Sequence, residues 1–175
     1  MPNKSKNKKF PQIVVLLYNI RSVHNVASIF RTADAAGVKK IYLCGITPAP
    51  TDRFGKILPQ FAKVALGAEK YVSWVKGHGS SKLIDKLKTD GYKIFAVEQS
   101  SKSVPYYRVK PFDAAQGKNQ SKLALVFGNE VRGLPPSILK KGDKILEIPM
   151  RGSKESLNVA VAFGIVVYDL IYHQP

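Results

Sequence analysis

Short runs of aliphatic and β-branched residues alternate along this chain with segments of helical period, and that alternation limits the fold more than any other feature. Residues 13–18 form the first run, which predicts a strand buried on both faces. Residues 22–37 then place apolar side chains at helical spacing up to Gly37. Residues 40–44 form the next strand-like run. Alternation without an internal repeat predicts an α/β domain with a Rossmann-like, largely parallel sheet.

The same pattern continues to the end of the chain. Further strands are predicted at residues 71–75, 92–97, 123–127 and 145–149. Further helices are predicted at 80–91 with Ser80 as the cap, at 135–142, and at 156–172. Ligands of parallel sheets lie beyond the carboxyl ends of strands, so three segments are candidates for a site: 98–121, 128–133 and 150–158.

Composition and charge narrow the class of protein. The 175 residues suit one domain, predicted at 12–175 behind a basic, flexible arm at 1–11, and the 45% hydrophobic content excludes a disordered polycation. A net charge of +16 favours a polyanionic partner, so nucleic acid is expected, with solubility alone as the plain alternative. Charge does not separate RNA from DNA, or an enzyme from a passive binder.

Other classes have no support in the sequence. The single cysteine, Cys44, excludes a disulfide framework and a cysteine zinc site, and the scattered His24, His78 and His173 indicate no metal cluster. No apolar run is long enough for a signal or membrane segment, which predicts a cytoplasmic protein without a membrane partner.

Three polar segments carry the functional signal. In 25–33, Arg31 lies off the apolar stripe and can face a site, although an exposed helix arginine is the plain alternative. Residues 128–134 read as a strand-to-helix turn with glycines for backbone geometry, and 151–156 as a polar loop before a capped helix.

In order and at these separations, the three segments resemble the signature motifs of the SpoU/TrmH branch of the SPOUT superfamily, the S-adenosylmethionine-dependent RNA ribose 2′-O-methyltransferases. The motifs are Asn25 to Ala33, Val126 to Leu134, and Ile148 to Val159. The resemblance implies a C-terminal deep trefoil knot, a rare exception among folds. It also implies a homodimer with composite sites, which agrees with the predicted C-terminal helix being apolar nearly all round.

The resemblance also implies which residues act. Catalytic roles fall on Arg31, Asn25, Glu130, Ser156 and Asn158. The methyl donor would be bound by Gly128, Ile148, Met150, Leu157, Val97 and Glu98. RNA would be bound by Lys8, Lys9, Arg21, Arg53 and Arg132. No metal is required. Ala160 and Ala27 replace a serine and a glycine frequent in the family.

Arg31 is expected to bind the phosphate beside the target ribose and to stabilise charge on the 2′-oxygen, because a guanidinium accepts no hydrogen bond and is a poor base. Glu130 is expected to orient Arg31 or a donor-side group, and Asn25 the ribose or Arg31. Without an extra N-terminal RNA-binding domain, tRNA is expected as substrate, with rRNA as the alternative. The rivals are a catalytically inactive RNA-binding member and a base-methylating SPOUT enzyme.

Overall fold

A computed structural model describes residues 10–77, 79–109 and 122–172 of the chain. The strands are β1 (Gln12–Tyr18), β2 (Lys40–Cys44), β3 (Ser73–Gly77), β4 (Lys93–Val97), β5 (Val104–Pro105), β6 (Lys122–Phe127) and β7 (Lys144–Glu147). The helices are α1 (Val23–Ala35), α2 (Pro59–Ala65), α3 (Ser80–Thr89), α4 (Pro136–Leu139) and α5 (Val159–Tyr172). Two short 3₁₀ turns cover Ala68–Lys70 and Tyr106–Arg108.

The strands form one parallel sheet in the order β3-β2-β1-β6-β4-β7-β5. The chain leaves β1 towards β2 and β3 on one side and builds the rest of the sheet on the other. A topological switch point therefore lies beside β1 and β6, where open α/β sheets bind ligands. The predicted parallel α/β architecture is confirmed.

Helices cover both faces of the sheet. Alternate residues of β1 point to opposite faces, as Leu17 packs in the cluster that contains Phe30 and Phe163, whereas Leu16 packs with Ile84. Helices α1, α2 and α5 thus lie on one face, and α3 and α4 on the other. The prediction that the first strand is buried on both faces is confirmed.

Helix α1 forms as the spacing predicts. Ser22 has an extended backbone and its side chain accepts a hydrogen bond from the backbone N–H of Asn25 at 3.2 Å, which caps the helix. The apolar stripe is buried, and the chain turns away at Gly37, whose φ is +69°. The polar residues between the stripe positions stay available for a site.

The structure differs from the predicted elements on the α1 side of the sheet. Helix α2, which the sequence analysis does not include, begins with Pro59 in its first turn and packs Phe61 against Phe30, with the ring centroids 5.2 Å apart. Strand β3 begins two residues later than expected, because Tyr71 and Val72 still donate hydrogen bonds to the carbonyl of Ala68.

Two helix starts also differ from prediction. Gly79, with φ of +86°, precedes α3, so Ser80 is the first helical residue and not the cap. Helix α5 begins at Val159 and not at 156, because the Asn158 side chain accepts hydrogen bonds from the backbone of Ala160 and Val161 at 2.9 and 3.4 Å. Residues 156–158 therefore belong to a loop.

Two predicted segments lie partly outside the described residues. The loop 98–121 contains β5 and a 3₁₀ turn up to Val109, and 110–121 lie outside the described ranges. Residues 1–9 of the predicted basic arm, which include Lys8 and Lys9, also lie outside them. Within the described ranges, no helix has the length and apolarity needed to cross a membrane.

Candidate functional site

A cleft of about 360 Å³ opens where β4, β6 and β7 end. We call it the acidic cleft, and it is lined by Val97, Glu98, Gln99, Phe127, Gly128, Asn129, Glu130, Val131, Gly133, Leu146, Glu147, Ile148, Met150, Glu155, Ser156, Leu157, Val159 and Ala162. All six residues predicted to bind the methyl donor are among them. They come from three separate segments, which the parallel sheet brings to one edge.

The charge of the acidic cleft opposes that of the chain. Four of the protein's 12 acidic residues line it, and no lysine or arginine is among the described lining residues. They are Glu98, Glu130, Glu147 and Glu155. A cleft of this charge favours a cationic ligand inside a protein whose formal charge is +16.

The loop 128–133, which forms one wall of the cleft, is folded tightly on itself. A Cβ on Gly128 would lie 2.6 Å from the carbonyl carbon of Gly133, so only glycine permits this approach. Gly133 has φ of +64°, and a Cβ there would meet the carboxylate of Glu98. The two glycines therefore serve close backbone packing, as their positions in the sequence predict.

Glu98 holds this loop against the end of β4. Its carboxylate accepts hydrogen bonds from the backbone N–H of Leu134 at 2.8 Å and from that of Gln99 at 3.0 Å. Glu98 lines the cleft as predicted, but both of its oxygens are engaged in fixing protein backbone.

A chain of side-chain hydrogen bonds joins the three predicted motifs. The Asn158 amide nitrogen donates to the side-chain oxygen of Asn25 at 2.9 Å, and the Asn25 amide nitrogen donates to Glu130 at 3.2 Å. These residues are 133 and 105 positions apart in sequence, and each comes from a different motif. The fold thus places three of the five predicted catalytic residues in direct contact.

Glu130 is the anchor of this chain. Besides Asn25, its carboxylate accepts hydrogen bonds from the backbone N–H of Arg21 at 3.0 Å and of Ser22 at 3.2 Å, so it holds the turn that leads into α1. Partial burial raises the pKa of the Glu130 carboxyl, but hydrogen bonds from these backbone groups and from Asn25 outweigh it and lower the pKa below the usual glutamate value.

Arg31 lies apart from this network. It is exposed on α1, six residues or about 9 Å along the helix axis beyond Asn25. It does not line the acidic cleft, and it has no hydrogen bond or ion pair with any described residue. Within one chain Glu130 does not contact Arg31, because its carboxylate is committed to Asn25 and to backbone N–H groups. Its other expected partner, a donor-side group, stays a prediction.

The loop of the third motif contributes side chains to the acidic cleft and to the hydrogen-bonded chain of Asn25 and Glu130. Ser156 and Leu157 line the acidic cleft, and Leu157 is 41% exposed, so an apolar surface is open to a ligand there. Asn158 points instead to Asn25 and caps α5. One short loop thus shapes the cleft and fixes the polar chain.

The predicted RNA-binding residues separate into groups. Arg21 and Arg132 both line a second cavity of about 670 Å³, on the other side of the 128–133 loop. Arg53 lies in the loop after β2, where its guanidinium is 4.7 Å from the ring centroid of Phe54. Lys8 and Lys9 are not among the described residues.

Asn19 and Asn129 connect the loops around the site, although no role is predicted for either residue from the sequence. The Asn129 side chain donates to the backbone carbonyl of Asn19 at 2.7 Å and accepts from Val131 and Arg132 at 2.9 Å. Asn19, with φ of +55°, accepts from the N–H of Ile46 at 3.1 Å. An asparagine within two residues after each of two buried strands is the signal that could have indicated these links.

No metal centre accompanies the site in the part of the chain that the structure covers. Within it, no three His, Cys, Asp or Glu side chains are grouped so that they could hold an ion. Cys44 is buried and free, and burial raises the pKa of its thiol. His78 and His173 lie outside the described ranges.

Comparison with known proteins adds independent evidence. The model of the SpoU rRNA Methylase family matches residues 12–168. The tRNA (guanosine(18)-2′-O)-methyltransferase of Aquifex aeolicus is 32% identical over 165 residues, which cover 93% of this chain and 70% of that protein. The 23S rRNA (guanosine-2′-O-)-methyltransferase RlmB of Coxiella burnetii is 30% identical over 165 residues, 94% of this chain but only 60% of that protein.

A solved structure has the same fold. The AdoMet-bound rRNA methyltransferase of Sinorhizobium meliloti matches with a TM-score of 0.78 and 26% identity over 97% of this chain and 59% of that one. This likeness confirms the expected class, the α/β domain with the C-terminal trefoil knot of these proteins. The chain spans about three fifths of the length of the Coxiella and Sinorhizobium proteins.

Proposed function

The chain belongs to the SpoU rRNA Methylase family, and from this premise we propose that it transfers a methyl group from S-adenosylmethionine to a ribose 2′-hydroxyl of RNA. The observation that carries the proposal is the hydrogen-bonded chain Asn158–Asn25–Glu130 at the border of the acidic cleft. It joins all three motifs beside a cavity that suits the donor.

The acidic cleft fits S-adenosylmethionine in size and in charge. Its volume of about 360 Å³ lies in the range of small-ligand sites. The side chains of Ile148 and Leu157 offer apolar surface to an adenine, while the closely packed backbone at Gly128 offers polar groups beside it. When bound there, this donor supplies an electrophilic methyl group on a positively charged sulfur, a charge that the four glutamates favour.

The protein's own part is alignment and charge stabilisation. Asn25 is fixed by Asn158 on one side and Glu130 on the other, so it can orient the ribose. Arg31 binds the phosphate beside the target ribose through its planar fork and stabilises negative charge as it develops on the 2′-oxygen. Because a guanidinium accepts no hydrogen bond, the proton of the 2′-hydroxyl passes late in the step to a phosphate oxygen or to a water molecule.

Arg31 reaches the reaction in a homodimer. Arg31 does not line the acidic cleft of its own chain. Helix α5 exposes three large residues, because Val161, Tyr168 and Tyr172 are 50%, 39% and 61% exposed. Two copies that bury this face of α5 would form an isologous interface, in which α1 of one copy faces the cleft of the other. Each site then takes its donor from one chain and its Arg31 from the partner.

A mixing experiment tests the composite site. An Arg31→Ala chain and a Leu157→Asp chain, each inactive alone, should recover part of the activity when they are unfolded and refolded together, because mixed dimers contain one intact site. Light scattering gives the oligomeric state of each sample. A dimer without recovery would place both functions in one chain, and a monomer with full activity would exclude the dimer.

Transfer RNA is the proposed substrate, with ribosomal RNA second. Of the two curated relatives described above, the Aquifex tRNA enzyme has the higher identity, 32% against 30%, and the match covers more of its own length, 70% against 60%. The test is to incubate the purified protein with S-adenosylmethionine carrying a labelled methyl group and with total tRNA or rRNA. Label in tRNA supports the proposal, and label in rRNA alone supports the second substrate.

The position of the methyl group distinguishes the remaining alternatives. A 2′-O-methyl group protects the next phosphodiester from alkaline hydrolysis, so labelled dinucleotides are expected after base treatment, with the extra mass on the ribose. Label in mononucleotides, with the extra mass on the nucleobase, would identify a base methyltransferase. Calorimetry that detects no affinity for S-adenosylmethionine or S-adenosylhomocysteine would identify an inactive RNA-binding member.

A further inference from the structure

The second cavity, of about 670 Å³, lies between the loops that follow β1, β2 and β6. We call it the arginine groove, and it is lined by Tyr18, Asn19, Arg21, Ile46, Asn129, Val131, Arg132, Gly133 and Pro135. We propose that this groove binds one unpaired nucleotide of the substrate RNA, its base on the apolar wall and its phosphate on the two arginines. The proposal rests on the proposed function, since it assumes that the substrate is RNA.

The charge of the groove fits a phosphate. Two guanidinium groups line it, and none of the described lining residues carries a carboxylate. Neither guanidinium has a hydrogen bond or an ion pair within residues 10–77, 79–109 and 122–172. Both are exposed and are therefore available to an anion from solvent.

The two arginines are nevertheless held in place at their backbones. The N–H of Arg21 donates to Glu130 at 3.0 Å, and the N–H of Arg132 donates to the side chain of Asn129 at 2.9 Å. Because the backbones of both arginines are already fixed, less conformational entropy is lost when a phosphate binds. Each guanidinium group can contact a phosphate through two hydrogen bonds. The same Glu130 that holds Asn25 thus also sets the position of one wall of the groove.

Apolar and aromatic residues line the same groove as the two arginines. Ile46 is 65% exposed and Val131 is 79% exposed, and the ring of the half-buried Tyr18 lies in the same groove. Exposed aliphatic and aromatic groups beside arginines suit the flat face of a nucleobase. A duplex keeps its bases stacked inside and offers mainly phosphates and riboses, so a base that enters this groove must be unpaired.

The position of the groove indicates which nucleotide it takes. It shares Asn129, Val131 and Gly133 with the acidic cleft, and both cavities open at the carboxyl edge of the sheet. A nucleotide in the groove therefore lies close to the one that is methylated. The groove therefore recognises that the nucleotide next to the target is unpaired, because apolar stacking and phosphate contacts do not depend on which base is present.

Binding measurements with two pairs of variants test the groove. Ile46→Asp and Arg132→Glu change residues that line the groove but not the cleft. Leu66→Asp is the control for the first, because Leu66 is 64% exposed outside both cavities, and Lys86→Glu on α3 is the charge-matched control for the second. The probes are a single-stranded 12-nucleotide RNA, a blunt duplex of the same length, and S-adenosylhomocysteine.

Each groove variant should bind the single-stranded RNA about tenfold more weakly than its control. Binding of the duplex should fall no further than in the control, and affinity for S-adenosylhomocysteine should stay unchanged. Equal losses for groove and control variants, or equal losses for single-stranded and duplex RNA, would overturn the nucleotide site. A wild-type protein without affinity for S-adenosylhomocysteine would instead refute the proposed function, whatever the groove variants do.

Discussion

The two cavities at the carboxyl edge of the sheet are opposite in charge although one loop separates them. The acidic cleft has four glutamates and no basic residue among its described lining, while the arginine groove has two arginines and no carboxylate. The 128–133 loop contributes Asn129, Val131 and Gly133 to both. The 128–133 loop thus borders both a cavity lined by acidic residues and a cavity lined by basic ones.

The net charge of the chain indicates its partner, but it does not indicate the charge of each cavity. A charge of +16 attracts RNA to the whole surface, yet the cavity proposed for the donor is acidic. Hydrogen bonding differs in the same way, since Glu98 and Glu130 are fully engaged whereas Arg21 and Arg132 leave their guanidinium groups free. The two carboxylates hold the loops in place through hydrogen bonds, while the two guanidinium groups are open to solvent.

The largest expected effect comes from Arg31, a free cation that belongs to neither cavity of its own chain. Arg31→Ala should lower kcat about 100- to 1,000-fold, because charge on the 2′-oxygen loses its stabilisation, with a much smaller loss of RNA affinity. Arg31→Lys should not restore turnover, since a lysine has no planar fork. Near-normal turnover in the lysine variant would show that one positive charge is sufficient. Unchanged thermal unfolding checks that the fold is intact.

A smaller effect is expected from Gly128, on which the wall between the cavities depends. Gly128→Ala would press a methyl group against the backbone of Gly133, so the free energy of unfolding should fall by about 1–3 kcal/mol. Both donor and RNA affinity should fall together. Gly152→Ala is the control, because nothing lies near the added methyl group there. Loss of donor affinity alone would show that the groove does not share this wall.

Reversing one charge in the acidic cleft tests whether its acidic residues favour the positively charged donor. Glu155→Lys should weaken binding of S-adenosylmethionine about fivefold to tenfold, as expected for roughly 1 kcal/mol between nearby charges in water. Binding of S-adenosylhomocysteine, which lacks the sulfonium charge, should change less in calorimetry. Asp90→Lys, outside both cavities, controls for net charge. Equal losses for the two ligands would show that shape, not charge, selects the donor.

The smallest effect concerns the pH dependence of the loop anchor. The pKa of Glu130 is lowered in the folded protein, so its contribution to stability is present above the unfolded pKa and is lost as pH falls through the folded pKa. Glu130→Gln should therefore be less stable than wild type near neutral pH, and the gap in Tm should narrow towards about pH 3.5. A gap that is constant over this range would mean that the charge of Glu130 does not matter.

Local patterns in the sequence were sufficient for much of the fold. The strand β2 lies at the predicted residues, and α1 agrees because Ser22, the apolar stripe and Gly37 are all local signals. Helix α2 was missed, since it is short, lacks a side-chain cap and is stabilised by the contact of Phe61 with Phe30. The start of α5 is later than predicted, because Ser156 and Asn158 are both favoured capping residues and only the hydrogen bonds accepted by the Asn158 side-chain oxygen show which one caps the helix.

The sequence predicts which residues form the candidate site better than it predicts which side chains contact each other. The order and spacing of the motifs brought the six predicted donor residues to one cleft. Glu130 is expected to orient Arg31 or a donor-side group, and within one chain its carboxylate contacts Asn25 and two backbone N–H groups and not Arg31. A motif names the residues that act together, but the direction of each side chain depends on neighbours that are far away in sequence.

The parallel α/β class, the net positive charge and the residues of the three motifs can all be read from the amino-acid chain, because periodicity, composition and spacing do not depend on folding. The meeting of four glutamates in the acidic cleft and two arginines in the arginine groove depends on the folded chain, and so do the hydrogen bonds that join Asn25, Glu130 and Asn158. A parallel sheet gathers the ends of distant strands at one edge, so side chains more than 100 residues apart come within hydrogen-bonding distance.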